Sequence, residues 1–365
     1  MPDCSAVEQL QERYQDRMAG ALASPLPVAA VTSNTVPWEL LDAAGYFPVL
    51  LSPPAGPTPH ADAYMEDVFD ARSRGIFERF LSGEWAFIDT LVIPRTSEQE
   101  HKLFLYLREV ARQEPERKLP RVLLYNLPHA RSAEARIYGL ERTRELMKAL
   151  PPTLSGGLEA AIAEGNAARQ AARSILELRR SRLSGARALP LIGAFYFMDR
   201  ARYAGLAAGA ARELAGLREL QGPRLLVKGA ALPHPHLHTA IESHGAIVAC
   251  EDDWWGSRAA GKDIRDDIDP VDAIFEKYYL DAPSPRVFPP SQAEAWFLHE
   301  LSAVDGVVFY IPPEDYVFGW DYPRLRDLLD CRNIPHLLVS ADASSGTLSA
   351  EWHSRIEEFV ARVKR

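Results

Sequence analysis

The chain has 365 residues, 47% hydrophobic and 25% charged, with 41 Lys and Arg against 50 Asp and Glu for a net charge of −9. That length fits about two ordinary domains, and the composition excludes disordered and collagen-like chains. The acidic balance argues against a partner that is duplex nucleic acid or an anionic membrane, both of which select basic surfaces.

Taken in chain order, residues 5–22 are polar and helical, 26–32 form a short apolar run, and 37–44 read as a helix with Pro37 in its first turn. Gly45 ends that helix, and 47–51 is a second strand. A helix at 67–81, a strand at 88–93, a helix at 98–112 and a strand at 121–127 follow. Short apolar runs alternating with helices indicate a parallel sheet covered on both faces.

The middle changes character. Residues 133–150 and 158–182 are long helical stretches, 188–198 is an apolar segment broken by Pro190 and Gly193, and 201–217 is a further helix. A second alternation then runs through strands at 224–227, 247–250, 306–311 and 336–340. Its helices are expected at 236–243, 271–279, 292–303, 324–329 and 350–363. The fold class is therefore α/β, with two parallel-sheet domains and a helical middle. The expected bounds are an N-terminal helix at 1–25, domains at 26–132 and 223–365, and the helical segment at 133–222. The apolar run at 188–198 falls short of the roughly 20 residues that span a bilayer. The opening residues lack the apolar core of an export signal, so a cytoplasmic protein with no membrane and no nucleic-acid partner is expected.

In open parallel sheets, ligands sit outside the carboxyl ends of the strands. The first strand is followed by Ser33, Asn34 and Thr35, which can cap a helix or offer hydroxyls to a ligand. Later strands lead into Pro94-Arg95-Thr96-Ser97-Glu98, Glu251 to Arg258, and Pro312 to Tyr316. Eight carboxylates lie between Glu251 and Asp272, without the spacing of a calcium-binding loop, and read as a solvated acidic loop. Trp254 and Trp255 within it suggest an aromatic surface for a partner or a flat ligand. Arg179, Arg180 and Arg182 read as a solvated helix end. His234, His236, His238 and His244 are candidate metal ligands by type, but their spacing does not place them on one helix face. Gly229 is a lone glycine turn without the pattern of a nucleotide loop, and no nucleophile elbow, zinc-protease motif or phosphate loop is present. Three cysteines, Cys4, Cys250 and Cys331, are too few and too scattered for a disulfide framework or a zinc ribbon.

A set of short segments, in order along nearly the whole chain, resembles the 2-hydroxyacyl-CoA dehydratase family, which includes the substrate-reducing subunits of benzoyl-CoA reductase. They are Val36-Pro37-Trp38-Glu39-Leu40-Leu41, Ala44-Gly45-Tyr46-Phe47-Pro48-Val49, Val92-Ile93-Pro94 and Tyr125-Asn126-Leu127-Pro128. The second half adds Leu225-Leu226-Val227-Lys228-Gly229 with Leu232-Pro233, Asp252 with Gly256-Ser257-Arg258, and Asp321-Tyr322-Pro323. Ile334-Pro335, Ser345-Gly346 and Arg355-Ile356-Glu357-Glu358-Phe359 complete the set. The resemblance implies that both parallel-sheet domains are Rossmann- or flavodoxin-like, that two related subunits form a heterodimer, and that a [4Fe-4S] cluster is held by three cysteines from strand-end loops. It also implies an ATP-dependent activator that supplies an electron, and elimination from an acyl-CoA through a ketyl radical.

At the three positions where the resemblance places cluster cysteines, this chain has Asp70, Ser97 and Asp315. Iron–sulfur clusters need soft thiolate ligands, which carboxylate and hydroxyl replace poorly. Cys250 and Cys331 read instead as small buried hydrophobes. The leading expectation is a subunit that has lost its own cluster, binds no cofactor itself, and pairs with a cluster-bearing homologue. An ATP-dependent activator and acyl-CoA are its further partners. Ser33, Asp70, Ser97 and Asp315 are then the catalytic-site candidates, and Asn34, Thr35, Trp254, Trp255 and Arg258 the substrate-binding ones. Two alternatives remain. One is an active enzyme with a carboxylate-lined metal or acid–base site formed by Asp70, Ser97 and Asp315 with Glu98 and Glu314. The other is a non-enzymatic acyl-CoA binding protein.

Overall fold

A computed structural model describes residues 5–152, 157–281, 287–313, 315–341 and 348–364. Cys4, Glu314 and the Ser345-Gly346 pair lie outside the described residues. The expected first helix divides into α1 (Ala6–Gln15) and α2 (Ala19–Ala23). Ser5 and Glu8 close a capping box at the start of α1, and the Arg17 guanidinium turns back to the Tyr14 carbonyl just after its end.

The first sheet takes in β1 (Val28–Val31), β2 (Phe47–Leu50), β3 (Ile88–Pro94) and β4 (Arg121–Tyr125). All pair in parallel, in the order β2-β1-β3-β4. Between them run α3 (Trp38–Ala43), α4 (Pro59–Tyr64), α5 (Ala71–Leu81) and α6 (Glu98–Gln113). The helix expected from residue 67 starts later, because the Asp70 carboxylate accepts the Ser73 amide and so defines the N-cap.

The helical middle holds α7 (Ala133–Ala149), α8 (Gly157–Arg179), α9 (Gly185–Gly193) and α10 (Arg200–Leu214). The apolar stretch around Pro190 is helical: Ser184 caps α9, and a 3-10 turn at Ala194–Phe197 follows it. Helix α8 buries Leu158, Ala161, Ile162, Gly165, Ala168, Ala172 and Ile175, a three-to-four spacing that faces α3 and α10. Gly165 lets Glu39 close in: a Cβ there would lie 2.7 Å from Glu39 Oε1.

The second sheet repeats the first. Strands β5 (Arg224–Gly229), β6 (Ile247–Asp252), β7 (Gly306–Tyr310) and β8 (His336–Val339) pair in parallel in the order β6-β5-β7-β8. Helices α11 (His236–Ser243), α12 (Pro270–Leu280), α13 (Pro290–Glu300), α14 (Tyr316–Cys331) and α15 (Ala350–Val363) accompany it. Helix α14 begins eight residues before the expected 324, capped by Asp315 and carrying Pro323 inside it.

One hydrophobic core joins the first sheet to the helical middle and takes in Trp255, Ile264 and Tyr278 from beyond β6. Two smaller cores cover the faces of the second sheet. In both sheets the strand order reverses beside the first strand, which places a crevice outside the carboxyl ends of β1 and β3 and another outside β5 and β7. Asn34 after β1 donates to the Ala259 carbonyl at 3.0 Å, and Tyr14 and Arg17 both donate to the Pro233 carbonyl after β5. The carboxyl ends of the two sheets therefore face one another.

Candidate functional site

Each of the three positions expected to surround a cluster is a helix N-cap. Asp70 accepts the Ser73 amide at 2.6 Å and the Ser73 hydroxyl at 2.9 Å. Ser97 accepts the Glu100 amide at 3.1 Å at the start of α6, and Asp315 accepts the Phe318 amide at 3.1 Å at the start of α14. Asp70 and Ser97 lie in neighbouring segments: Gln99 donates to the Val68 carbonyl at 3.0 Å, and the Phe69 and Tyr106 rings are 5.3 Å apart. Asp315 belongs to the other sheet's edge of the cleft.

The charged pair in this region is one that sequence reasoning missed. Arg72 reaches back over the strand ends, donating to the Thr32 carbonyl and, at 3.2 Å, to that of Leu51, with its guanidinium 5.4 Å from the Trp254 ring. Glu100 is buried nearby and accepts the Thr32 hydroxyl at 2.8 Å, the Thr96 amide at 3.1 Å and the Thr96 hydroxyl. Burial raises the Glu100 carboxyl pKa, against the pull of the Thr96 hydroxyl and the Arg72 charge, and burial lowers that of Arg72. The Ser97-to-Glu100 spacing matches a capping box, but Glu100 turns to Thr96 and Thr32 instead of the cap's own amide. Nothing local marks Arg72.

The other expected site residues divide. Ser33 and Thr35 share a hydroxyl–hydroxyl hydrogen bond of 2.7 Å and are both buried. Asn34 has both ends of its amide engaged, by the Ala259 carbonyl and by the Trp38 indole at 3.0 Å, and so works as a bridge between the facing strand ends. Trp255 corrects the expected aromatic surface: it is 1% exposed, donates to the Tyr14 hydroxyl at 3.1 Å and packs on Tyr196 at 5.1 Å. Trp254 is half-buried. Arg258 donates to Asp252 Oδ1 at 2.8 Å, and Lys228 donates to the other oxygen. Burial pushes the Asp252 carboxyl up, but Lys228 and Arg258 outweigh it and hold it below its ordinary range.

The acidic loop is solvated only from Asp263 onward. Glu251, Asp252 and Asp253 are buried. Glu251 receives Arg179 through two guanidinium nitrogens and lies 2.5 Å from His238 Nε2, with all three side chains fully buried. Burial opposes the Glu251 charge, and Arg179 and His238 outweigh it, so its pKa is lowered. This overturns the solvated helix end for Arg179, whose partner stands 72 residues away in sequence. Asp253 accepts the amides of Leu232, Trp255 and Gly256, yet burial and the Glu251 charge raise it to about 7.

The histidines disperse. His234 and His236 lie with their rings tilted and 5.6 Å apart, while His238 turns inward to Glu251. Burial, with Arg17 and His236, lowers His234 to about 4. Among the described residues, no group of three or more His, Cys, Asp or Glu is placed to hold a metal ion. Cys250 is buried and its thiol pKa raised by that burial, as expected of a small hydrophobe; Cys331 is exposed, against expectation, because it ends α14 facing solvent.

A small pocket opens at the crevice of the first sheet, outside the ends of β1, β3 and β4. Thr35, Arg95, Thr96, His129, Arg131 and Tyr279 are among its lining residues. Of the residues expected from sequence, Thr35 reaches it, with Ser33 directly behind.

The model of the family described as 2-hydroxyglutaryl-CoA dehydratase, D-component, matches residues 34–362. The chain belongs to the 2-hydroxyglutaryl-CoA dehydratase D-component family. Comparison with curated proteins finds no match. Among the described residues no helix is long and apolar enough to cross a membrane.

Proposed function

We propose that this chain is a subunit of a 2-hydroxyacyl-CoA dehydratase-like complex that holds no iron–sulfur cluster of its own and pairs with a homologous subunit that does. The observation that carries the reading is the use made of Asp70, Ser97 and Asp315. None offers a thiolate, and each side chain already accepts a backbone amide at the start of a helix. A cluster would need three soft ligands free to turn into the cleft, and these residues do not fit that need. Arg72 meanwhile spans the ends of β1 and β2, filling space beside Asp70 with a cation tied to two carbonyls.

On this reading the facing strand ends are retained to shape the cleft and to dock the partner, with acyl-CoA and an ATP-dependent activator acting on the assembled pair. The alternative of a carboxylate-lined acid–base site draws its support from Glu100, whose raised pKa suits a proton carrier. Its two oxygens are already held by Thr32 and Thr96 in the absence of any substrate, which favours the subunit reading.

Anaerobic co-expression with a cysteine-bearing member of the family tests the proposal. The expected product is a one-to-one complex with about four irons per pair. About eight irons per pair would place a cluster on this chain as well, and separate elution of the two chains would remove the pairing.

A further inference from the structure

The pocket outside β1, β3 and β4 holds more positive charge than its surroundings neutralise. Arg95 and Arg131 both line it, and no described lining residue is a carboxylate. The nearest acid to Arg95 is the exposed Glu98 at 3.9 Å, and Arg95 Nε is buried with no hydrogen-bond partner among the described residues. Arg131 lies with its guanidinium 4.3 Å above the Tyr279 ring and donates weakly, at 3.4 Å, to the His129 carbonyl. Several other cations of the cleft are met by acids, Arg169 by Glu39, Arg179 by Glu251, Lys228 and Arg258 by Asp252, while Arg17 and Arg72 are held by carbonyl oxygens.

Two guanidinium forks in a half-enclosed pocket, Arg95 paired only with the exposed Glu98 and Arg131 with no acid partner among the described residues, select an oxyanion, because a fork matches two oxygens at once and loses little order on binding. Leu127, Pro128 and Tyr279 give the pocket an apolar wall. Two cations in one pocket suit a dianion better than a single carboxylate.

We propose that this pocket binds the phosphate group of a phosphorylated ligand between Arg95 and Arg131, with the ligand's apolar or planar part against Tyr279. The site belongs to this chain alone and does not depend on whether it carries a cluster or a partner. Burial lowers the Arg131 pKa, the direction expected for a cation that lacks its counter-ion.

Titration calorimetry of the full chain with inorganic phosphate, with succinate and acetate as separate arms, tests the proposal. Phosphate is expected to bind at one site more tightly than either carboxylate. Arg95→Gln and Arg131→Gln should each weaken binding by about tenfold or more, the loss of a charged hydrogen bond. Circular dichroism melts of both variants establish that they are folded, and Arg131→Lys, which keeps the charge but not the fork, should bind with intermediate affinity. Equal affinity for acetate, tighter binding of succinate, or variants that bind phosphate as the parent does would each overturn it.

Discussion

The strand ends of the two sheets handle charge in opposite ways. Outside β5 and β6, Glu251 and Asp252 are buried, and each is met by two basic side chains, so the charge closes on itself. Outside β1, β3 and β4, Arg95 and Arg131 face a pocket with no acid among its described lining. The same strand order thus supports a neutralised, structural edge on one side and a cationic, open one on the other. Buried charges that find partners inside the chain hold it together, whereas those left unmatched point to something outside it.

The sharpest way to break the comparison is to unbalance the neutralised edge. Arg179→Met leaves Glu251 buried without its principal partner and should cost about 3–5 kcal/mol in urea denaturation. A loss below 1 kcal/mol would show that the second sheet's charges are not structural in the sense argued.

Asp253 is next. Its pKa of about 7 in the folded chain lies above the ordinary 3.8, so its protonated form favours folding. That contribution is complete below pH 3.8 and fades as the pH rises through about 7. Relative to Asp253→Asn, the parent should lose stability as melts are taken from pH 4 to pH 8. A gap between the two that stays constant with pH would contradict the assignment. Glu251 runs the other way, its contribution present above its ordinary value of 4.5 and lost on acidification.

The caps predict a smaller effect. Asp70→Ala and Ser97→Ala should each cost about 1 kcal/mol, the worth of an N-cap. Asp70→Asn and Ser97→Thr, which keep the acceptor, should restore most of it. Smallest of all is Arg95→Gln, expected to change stability by no more than about 0.5 kcal/mol, as for a side chain whose one acid partner is the exposed Glu98. A large loss there would move Arg95 to the structural side of the comparison.

Much of the fold is legible in the sequence. Runs such as Arg121–Tyr125 and Gly306–Tyr310 read as strands because parallel strands are buried on both faces and need no alternation. Ser97 and Ser349 mark helix starts by type. Illegible were the residues whose meaning lies in a distant partner. Arg179 looks solvated until Glu251 is folded against it, and Trp255 looks like a surface ring until α1 brings Tyr14 to its indole. Helix α14 starts early because Asp315 caps it, a residue that the family resemblance had marked for another role. The Arg95–Arg131 pocket escaped for a related reason: three strand ends and α12 build it, and no single segment carries its pattern.

The central claim is that a cluster scaffold persists here with helix caps in place of cluster ligands. Iron and acid-labile sulfide measured on the isolated chain, after anaerobic reconstitution with both, test it most directly. The account predicts well under one iron per chain. About four irons with matching sulfide, retained through desalting and lost on Asp70→Ala or Asp315→Ala, would contradict it.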